Sequence, residues 1–349
     1  MVSNRPTPAQ RLRKHSLSRA MVLKDLRVMF LPIPKSGCTS MLWTLAGLAG
    51  LDRDRFRDSQ IHEVSRAMAI HDTGLWEPEH RWMSYSEEQQ NEILSDPEWL
   101  RFSIVRNPAP RLWSAWQSKI LLREPRFVER FADEPWFPPR PGSLNDVVDL
   151  FRTFVHALDG NPDKIPHDAH WGVQGQLTKG FNLNFIGRSE RMSESLERLG
   201  AHLGDSGAID TDVPRENAAP IPYHRTVYDA GTAEIVNRLY ADDFREFDYE
   251  RLGEWGFEGM EHWDSRASER VSVANELAER HLRIGELLAA LQRSGSSENP
   301  RGKRLEQRVQ ELSRAVTEAD DRVRAMERSR SWRVTRPLRA LHRLVGRLS

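Results

Sequence analysis

The segment that most constrains the fold is FLPIPKSGCTSMLWTLAGLAG, residues 30–50, in which two apolar runs flank a short polar loop. The first run, which begins at residue 27, is β-like and ends at a proline, as is typical of a strand that leaves a sheet. The second run has helical spacing, with Thr39 or Ser40 as its expected N-cap. A strand, a loop of small and hydroxyl residues and a helix together indicate one unit of an α/β sheet.

The same alternation continues along the chain. LRFSIVRNP, residues 100–108, is a second β-like run that stops at a proline, RLWSAWQSKILL has helical spacing, and FNLNFIGRSE predicts a third strand and turn. Strands that alternate with helices predict an α/β fold with a mainly parallel sheet flanked by helices. We expect this domain to span residues 21–255, after a polar, basic tail at 1–20.

The composition changes near residue 256, where the sequence becomes charged, helical and poor in aromatic residues. Leu277, Ile284 and Leu291 recur every seven residues, and a second heptad series follows the interruption RSGSSENPRG. This seam predicts a coiled coil over residues 256–328, which could join copies of the chain into a homo-oligomer. The alternative is an amphipathic helix that packs on the domain.

The last segment, residues 329–349, carries arginines and apolar residues but no acidic residue. Such a basic amphipathic segment can lie on an anionic membrane surface. It can equally dock on a partner or simply end the coiled coil, and the sequence leaves all three open.

Bulk composition narrows the function classes. Lys+Arg and Asp+Glu each number 51 in the 349 residues, so the formal net charge is zero and no global charge favours nucleic acid as a partner. With Cys38 as the single cysteine, no intramolecular disulfide can form. No window approaches the roughly 18 apolar residues of a membrane span, and the basic N-terminus lacks the apolar core of a secretory signal. We therefore expect a cytoplasmic protein, with possible peripheral contact at the inner membrane face.

The loop PKSGCTS has the chemistry of an anion site. Backbone N–H groups at the start of a helix, together with the helix dipole, favour a phosphate or a sulfate. Gly37 allows close approach of the backbone, Lys35 adds a positive charge, and hydroxyl groups come from the residues around them. The loop is not a Walker A motif, because that motif places its lysine after the last glycine.

A second stretch, SIVRNPAPRLWSAWQSK, places Arg106 at the end of a β-like run and Ser114 on the following helix. An arginine fork and a serine hydroxyl form a natural clamp for a terminal phosphate. The alternative is a surface arginine and a helix-capping serine, each of which is common separately.

Together, PKSGCTS and VRNPAPRLWSAWQSK resemble the two nucleotide-binding signatures of sulfotransferases that depend on 3′-phosphoadenosine 5′-phosphosulfate (PAPS). The resemblance is to the carbohydrate branch, sulfotransferase family 2, with its HNK-1 and chondroitin enzymes, in a bacterial-type form with a C-terminal coiled coil. HDAHWGVQ, FNLNFIGRSERM and IVNRLYADDFREFDY resemble later segments of the family, so the likeness covers roughly residues 27–249 in order. It departs at Asn107, where an acidic residue is frequent, and at Trp116, where tyrosine or phenylalanine is frequent.

The resemblance implies a P-loop-like, nucleotide-kinase-like fold and a set of site residues. The loop that grips the 5′-phosphosulfate would comprise Lys35, Ser36, Gly37, Cys38, Thr39 and Ser40. Arg106 and Ser114 would hold the 3′-phosphate, and Arg188 could face the nucleotide. PAPS would be the co-substrate and no metal would be required, with transfer to a hydroxyl group of a carbohydrate or glycoconjugate.

Such a transfer needs a base for the hydroxyl proton, and histidine suits neutral pH. The segment IHEVSRAMAIHDTGLWEPEH lies between the two motifs and offers several candidates. His71, with Asp72 beside it, is the first prediction and His62 the second. His167 and His170 could line the acceptor cleft or cap a helix.

Two other functions are compatible with parts of the sequence. A P-loop-like small-molecule kinase would share the fold but would need a lysine after the glycine and a magnesium-binding acid. A non-catalytic coiled-coil scaffold would predict damage to the anion loop, yet Lys35, Arg106 and Ser114 are all present.

Overall fold

The computed structural model describes residues 8–58, 66–160, 168–204, 219–253, 266–294 and 300–328. Its strands are β1 (Met21–Leu23), β2 (Val28–Leu31), β3 (Leu100–Val105) and β4 (Phe185–Arg188). Its helices are α1 (Pro8–Arg19), α2 (Cys38–Leu48), α3 (Arg53–Asp58), α4 (Glu87–Ser95), α5 (Pro108–Trp116), α6 (Pro125–Phe131), α7 (Leu144–Gly160), α8 (Gln174–Thr178), α9 (Met192–Leu203), α10 (Ala230–Leu239), α11 (Ala241–Glu246), α12 (Ala267–Ser294) and α13 (Pro300–Arg328).

The four described strands form one sheet in the order β1-β2-β3-β4, with β1 antiparallel to β2 and the other pairs parallel. Val28 pairs with Leu100, and Phe102 with Phe185. Every residue of β2 and β3 is buried, as expected for parallel strands covered by helices on both faces. The predicted α/β fold with a mainly parallel sheet is thus confirmed; its P-loop-like classification stays a prediction.

Local sequence explains where the helices around the sheet begin. Ser86 and Gln89 form a reciprocal capping box at the start of α4. The Asn107 side chain accepts from the amide of Ala109, and Pro108 occupies the first position of α5. Residues 8–19, which the sequence analysis assigned to a polar tail, instead form α1, whose Leu12 and Ser16 are buried.

The largest apolar core lies around α7, whose inward face is fully buried. Aromatic rings contribute much of this core, and Trp136 and Trp171 pack against Phe154. Trp76 and Trp82 are likewise buried in smaller clusters. These four tryptophans therefore belong to the interior.

The C-terminal heptads form a pair of helices that docks on the domain. Arg280 of α12 donates to the carbonyl of Ala315 at 2.9 Å, and Glu276 pairs with Arg322 at 2.7 Å, so α12 and α13 run antiparallel. Their apolar residues join the same core as α7. The apolar residues of the heptads are therefore buried within the chain itself. This arrangement resembles the alternative expectation, in which an amphipathic helix packs on the domain. A coiled coil that joins copies of the chain stays a prediction.

No helix in the described parts of the chain combines the length and the apolar character needed to cross a membrane. The basic segment 329–349 and the interruption at 295–299 lie outside the described residues. The proposed domain boundary at 255 also falls in an undescribed stretch, residues 254–265.

Candidate functional site

A cavity of about 1130 Å³ lies beyond the carboxyl ends of β2, β3 and β4. Parallel strands bring their carboxyl ends to one edge, which is where open α/β sheets bind ligands. The loop after β2, the start and body of α5, and the turn after β4 all contribute to its lining. The two predicted motifs therefore meet at one cavity, since Lys35 and Arg106 both line it.

The loop after β2 has the backbone of an anion cradle. Lys35 and Gly37 adopt left-handed conformations, with φ of 68° and 84°, and α2 starts at Cys38. The first hydrogen bond of α2 runs from the amide of Met41 to the carbonyl of Gly37. The backbone N–H groups before Met41 take no part in the hydrogen bonding of the helix, as is general at helix N-termini. The N-cap is thus Gly37, and not Thr39 or Ser40 as the sequence suggested.

The backbone conformation favours glycine at position 37. Its φ is one that side chains rarely adopt, whereas an added Cβ, 2.6 Å from the terminal methyl group of Met192, would only displace the end of a flexible side chain. Met192 lies at the start of α9 and also lines the cavity. The loop is therefore packed directly against the element that follows β4.

Gln174 fastens the two motifs to each other. Its side-chain oxygen accepts from the Ser36 hydroxyl at 3.2 Å and from the Arg106 amide at 3.0 Å, and its amide nitrogen donates to the Arg106 carbonyl at 2.9 Å. The buried carboxylate of Asp243 in turn accepts from the backbone amide of Gln174 at 2.9 Å. Gln174 ends the segment HDAHWGVQ, but the sequence alone assigned it no role, because its partners come from two other parts of the chain.

The second motif places two side chains on the cavity and one behind it. Arg106 donates to the carbonyl of Lys35 at 3.3 Å, and Ser114 lies on the cavity wall from α5. Arg111 is buried and donates to carbonyl groups of Pro34 and Gly172 at 3.0 and 2.7 Å. Arg106 and Ser114 are therefore available as ligands, whereas Arg111 holds the loop in place.

The cavity depresses the basicity of its lysine. Burial, followed by the charge of Lys119, lowers the pKa of Lys35 from 10.5 to about 7. Such a lysine is half protonated at neutral pH and gains its full charge when an anion binds beside it. Perturbed groups of this kind are concentrated at functional sites.

His71 lies against the anion loop. Its Nε2 is 2.9 Å from the Thr39 hydroxyl, and its backbone carbonyl accepts a hydrogen bond from Arg19. Burial, and then the charges of Arg19 and Lys119, lowers the pKa of His71 to about 3, so the ring is neutral at pH 7. His62, the second predicted base, lies outside the described residues.

A second histidine faces the same cavity. His170 Nδ1 lies 2.6 Å from Asp168 Oδ1, and because an ionised carboxylate only accepts, Nδ1 donates and Nε2 is left without a proton. Arg130 pairs with the other oxygen of Asp168 at 3.2 Å. Burial and the charge of Lys119 lower the pKa of His170 to about 4, against the raising effect of Asp168.

A buried ion pair also belongs to this wall of the cavity. Lys119 and Glu124 are 3% and 4% exposed and lie in direct contact, and Arg126 binds the other Glu124 oxygen at 3.0 Å. Burial alone would raise the pKa of Glu124. The cations beside it outweigh that effect and lower the pKa, so Glu124 stays ionised. Lys119 and Arg19 were not predicted as site residues.

The structure brings most of the predicted ligands together. Lys35, Gly37, Cys38, Thr39, Ser40, Arg106 and Ser114 line the cavity, as does His71. Ser36 does not, because its buried hydroxyl binds Gln174. Arg188 also lies away from the lining: it donates to the carbonyl of Phe247 at 2.7 Å, and its guanidinium covers the ring of Tyr249.

This arrangement defines an α/β protein with a cavity at the carboxyl edge of its sheet, lined by Lys35, Arg106 and Lys119 among other residues. In the part of the chain that the structure describes, no group of three or more His, Cys, Asp or Glu residues is placed to hold a metal ion.

Comparison with protein families identifies the class of protein. Residues 18–250 match the sulfotransferase family, and the chain belongs to that family. The match begins at the end of α1, spans all four strands and stops before α12. Comparison with curated proteins and with solved structures gives no match.

Proposed function

We propose that this protein transfers a sulfuryl group from PAPS to a hydroxyl group of a carbohydrate or glycoconjugate. The observation that carries the proposal is the convergence of the two motifs, in which Arg106 donates to the carbonyl of Lys35 at the edge of one cavity. Membership of the sulfotransferase family supports the sulfuryl transfer, and the family generally uses PAPS as its donor. The carbohydrate acceptor rests on the resemblance of the motifs to the carbohydrate branch.

Each end of the donor has a matching group in the cavity. Lys35 and the first turn of α2 suit the 5′-phosphosulfate, because a cation and helix N-terminal amides both favour an anion there. Arg106 and Ser114 suit the 3′-phosphate, because a guanidinium and a hydroxyl donate together to a terminal phosphate.

The reaction is a direct displacement. The acceptor oxygen forms a bond to sulfur while the bond from sulfur to the bridging phosphate oxygen breaks, and the electron pair leaves with 3′-phosphoadenosine 5′-phosphate (PAP). The protein contributes position and charge, since little covalent chemistry is required of it. Lys35, once it is protonated beside the anion, stabilises the negative charge that develops on the leaving phosphate.

The hydroxyl proton must pass to a base. His15, His71 and His170 line the cavity, and burial lowers the pKa of each of them well below 7. Of these, His71 and His170 are the candidates, because His71 contacts the anion loop and His170 contacts Asp168. Asp168 beside His170 stabilises the imidazolium that forms when the ring accepts a proton. The charged groups that act on His71 are cations, which oppose its protonation. We therefore favour His170 as the proton acceptor, and His71 is the alternative.

Thermal unfolding with PAP, PAPS or ATP plus magnesium tests the proposal. A ligand at a hundredfold excess over its Kd adds about 2.7 kcal/mol to the free energy of unfolding. We expect stabilisation by PAP and PAPS, loss of that shift in Lys35→Ala and Arg106→Ala, and its retention in Arg188→Ala. A shift with ATP alone would support a kinase instead, and no shift with any nucleotide would support a non-catalytic scaffold.

The two histidines separate in a transfer assay. Labelled sulfate from PAPS is followed into a panel of saccharides and into extracts of the source cell. If the proposal is right, His170→Ala and Asp168→Asn lower transfer and leave PAP binding unchanged. The reverse pattern, with His71→Ala alone inactive, would assign the base to His71.

A further inference from the structure

We propose that Lys119, held by Glu124, binds the sulfonate group of the donor and stabilises it during transfer. This inference rests on the proposed function and deepens it, because it adds a second cation at the reacting end of PAPS. Lys119 lies on the cavity wall, yet its residue is only 3% exposed. It is therefore a built feature of the wall and not a surface charge.

The backbone brings Lys119 to the wall through a local irregularity. Residues Gln117–Leu121 form a π-helical turn directly after α5, closed by the amide of Leu122 on the carbonyl of Gln117. In a regular α-helix, residues five apart differ by about 140° around the axis. A π-helical turn winds each residue through a smaller angle than an α-helix does, so the turn that starts at Gln117 brings Lys119 closer to the side of Ser114. Both line the cavity.

The ammonium group has donors to spare. An ammonium carries three N–H donors, and among the described residues the hydrogen-bond partner of Lys119 is Glu124 alone. The ring of Phe127 lies 5.6 Å from the same nitrogen. Two donors are therefore left for a ligand in the cavity.

Lys119 shares its cavity with the groups that would face the reacting end of the donor. Lys35, His71 and His170 line the same cavity, and the charge of Lys119 lowers the pKa of each of them. Lys119 is therefore near enough to act on the lysine that would face the leaving phosphate and on the two candidate bases. In a direct displacement, the sulfonate passes between those groups. Two buried ammonium groups that oppose each other are costly, and an anion between them removes the cost.

The C-terminal helices fix this part of the wall. His281 Nδ1 of α12 donates to the carbonyl of Leu122 at 2.7 Å. Gly285 lies one turn later against Pro125, where an added Cβ would come within 3.0 Å of the ring. These contacts hold residues 122–125 on both sides of Glu124, so α12 positions the carboxylate that orients Lys119.

PAP and PAPS differ by the sulfonate, so their affinities test the proposal directly. The double variant Lys119→Met with Glu124→Gln removes both charges of the pair together and leaves no buried charge unpaired. We expect its affinity for PAPS to fall by about 10- to 100-fold, the worth of a hydrogen bond to a charged group. Its affinity for PAP should stay within about twofold. Arg140→Met with Glu279→Gln is the control, because it removes an ion pair that does not line the cavity and should retain both affinities.

Parallel losses for PAP and PAPS, or equal affinity of variant and wild type for PAPS, would overturn the assignment. If the double variant does not fold, Lys119→Gln replaces it, since an amide can still donate to Glu124 but carries no charge. Failure of the proposed function gives a different result: the wild-type protein would then bind neither PAP nor PAPS.

Discussion

The most informative perturbation of this site is pH, because Lys35 changes charge in an accessible range. Its pKa is about 7 in the free protein, lowered first by burial and then by Lys119. A bound phosphate dianion raises that pKa, so binding above pH 7 requires the uptake of a proton. Each pH unit above the pKa of the free amine then costs a factor of ten in affinity, or about 1.4 kcal/mol.

The size of the effect follows from the protonated fraction. Between pH 7.5 and 9.5 that fraction falls by about 80-fold, so the affinity for PAP should fall by about 80-fold, provided that the bound lysine stays protonated. The phosphates of PAP are fully ionised throughout this range, since their second pKa is near 6. Burial raises the pKa of the Cys38 thiol and of the Tyr223 phenol, so neither group contributes a charge change at the lower end of it.

Isothermal titration calorimetry in buffers of different ionisation enthalpy measures both the affinity and the proton uptake. We expect nearly one proton to be taken up at pH 8.5. Lys35→Met should bind PAP weakly and without the pH slope. A flat affinity from pH 7.5 to 9.5 in the wild-type protein, or an unchanged slope in the variant, would refute the role given to Lys35.

Stability of the free protein should show the opposite trend. The unfolded chain keeps Lys35 protonated up to about pH 10.5, whereas the folded free protein releases the proton near pH 7. The unfolded state therefore binds more protons between these values, so this group makes the free protein more stable as pH rises. Saturation with PAP should abolish that contribution.

Three further predictions concern the scaffold of the site. Gly37→Ala and Gly50→Ala should each cost the backbone strain of about 1–2 kcal/mol, because both glycines lie at positive φ, but only Gly37→Ala, in the loop that lines the cavity, should weaken PAP binding; equal PAP affinities of the two variants would contradict this. Gln174→Ala should cost about 2–3 kcal/mol and weaken PAP binding, because it leaves buried groups of both motifs unpaired; Gln90→Ala, which removes two hydrogen bonds on the far side of the sheet, should leave PAP binding intact. A chain that ends before α12 should lose cooperative unfolding, because each buried apolar side chain of that helix is worth about 1.5–3 kcal/mol; a truncated chain with unchanged stability would show that the helices are an independent module.

The strands and the two motifs were predictable because their signals are local. β2 is a continuous apolar run followed by Pro32, and β3 is a β-like run, with Arg101 and Ser103 among its apolar residues, that ends shortly before Pro108. A parallel sheet then requires their carboxyl ends to meet. That requirement brings Lys35, Arg106 and Ser114, which follow these strands, to the same edge of the sheet. The resemblance implied that Arg188, which follows a predicted strand, could face the nucleotide. A strand end fixes only the backbone, however, and the Arg188 side chain turns to Phe247 and Tyr249.

The remaining features depend on contacts that a single sequence does not encode locally. The heptads after residue 266 require an apolar partner but do not say which one, and α12 finds it in α13 and in the core beside α7. α1 is strongly polar, so the one turn that buries Leu12 leaves almost no periodic signal. Lys119 reaches the cavity through a π-helical turn, which no periodicity predicts.

The central claim is that the two motifs hold opposite ends of one nucleotide, and a crystal structure with PAP tests it most directly. The account predicts the 5′-phosphate on Lys35 and the amides of the first turn of α2, and the 3′-phosphate on Arg106 and Ser114. PAP bound elsewhere, or bound in this cavity with Arg106 still confined to the carbonyl of Lys35, would contradict it.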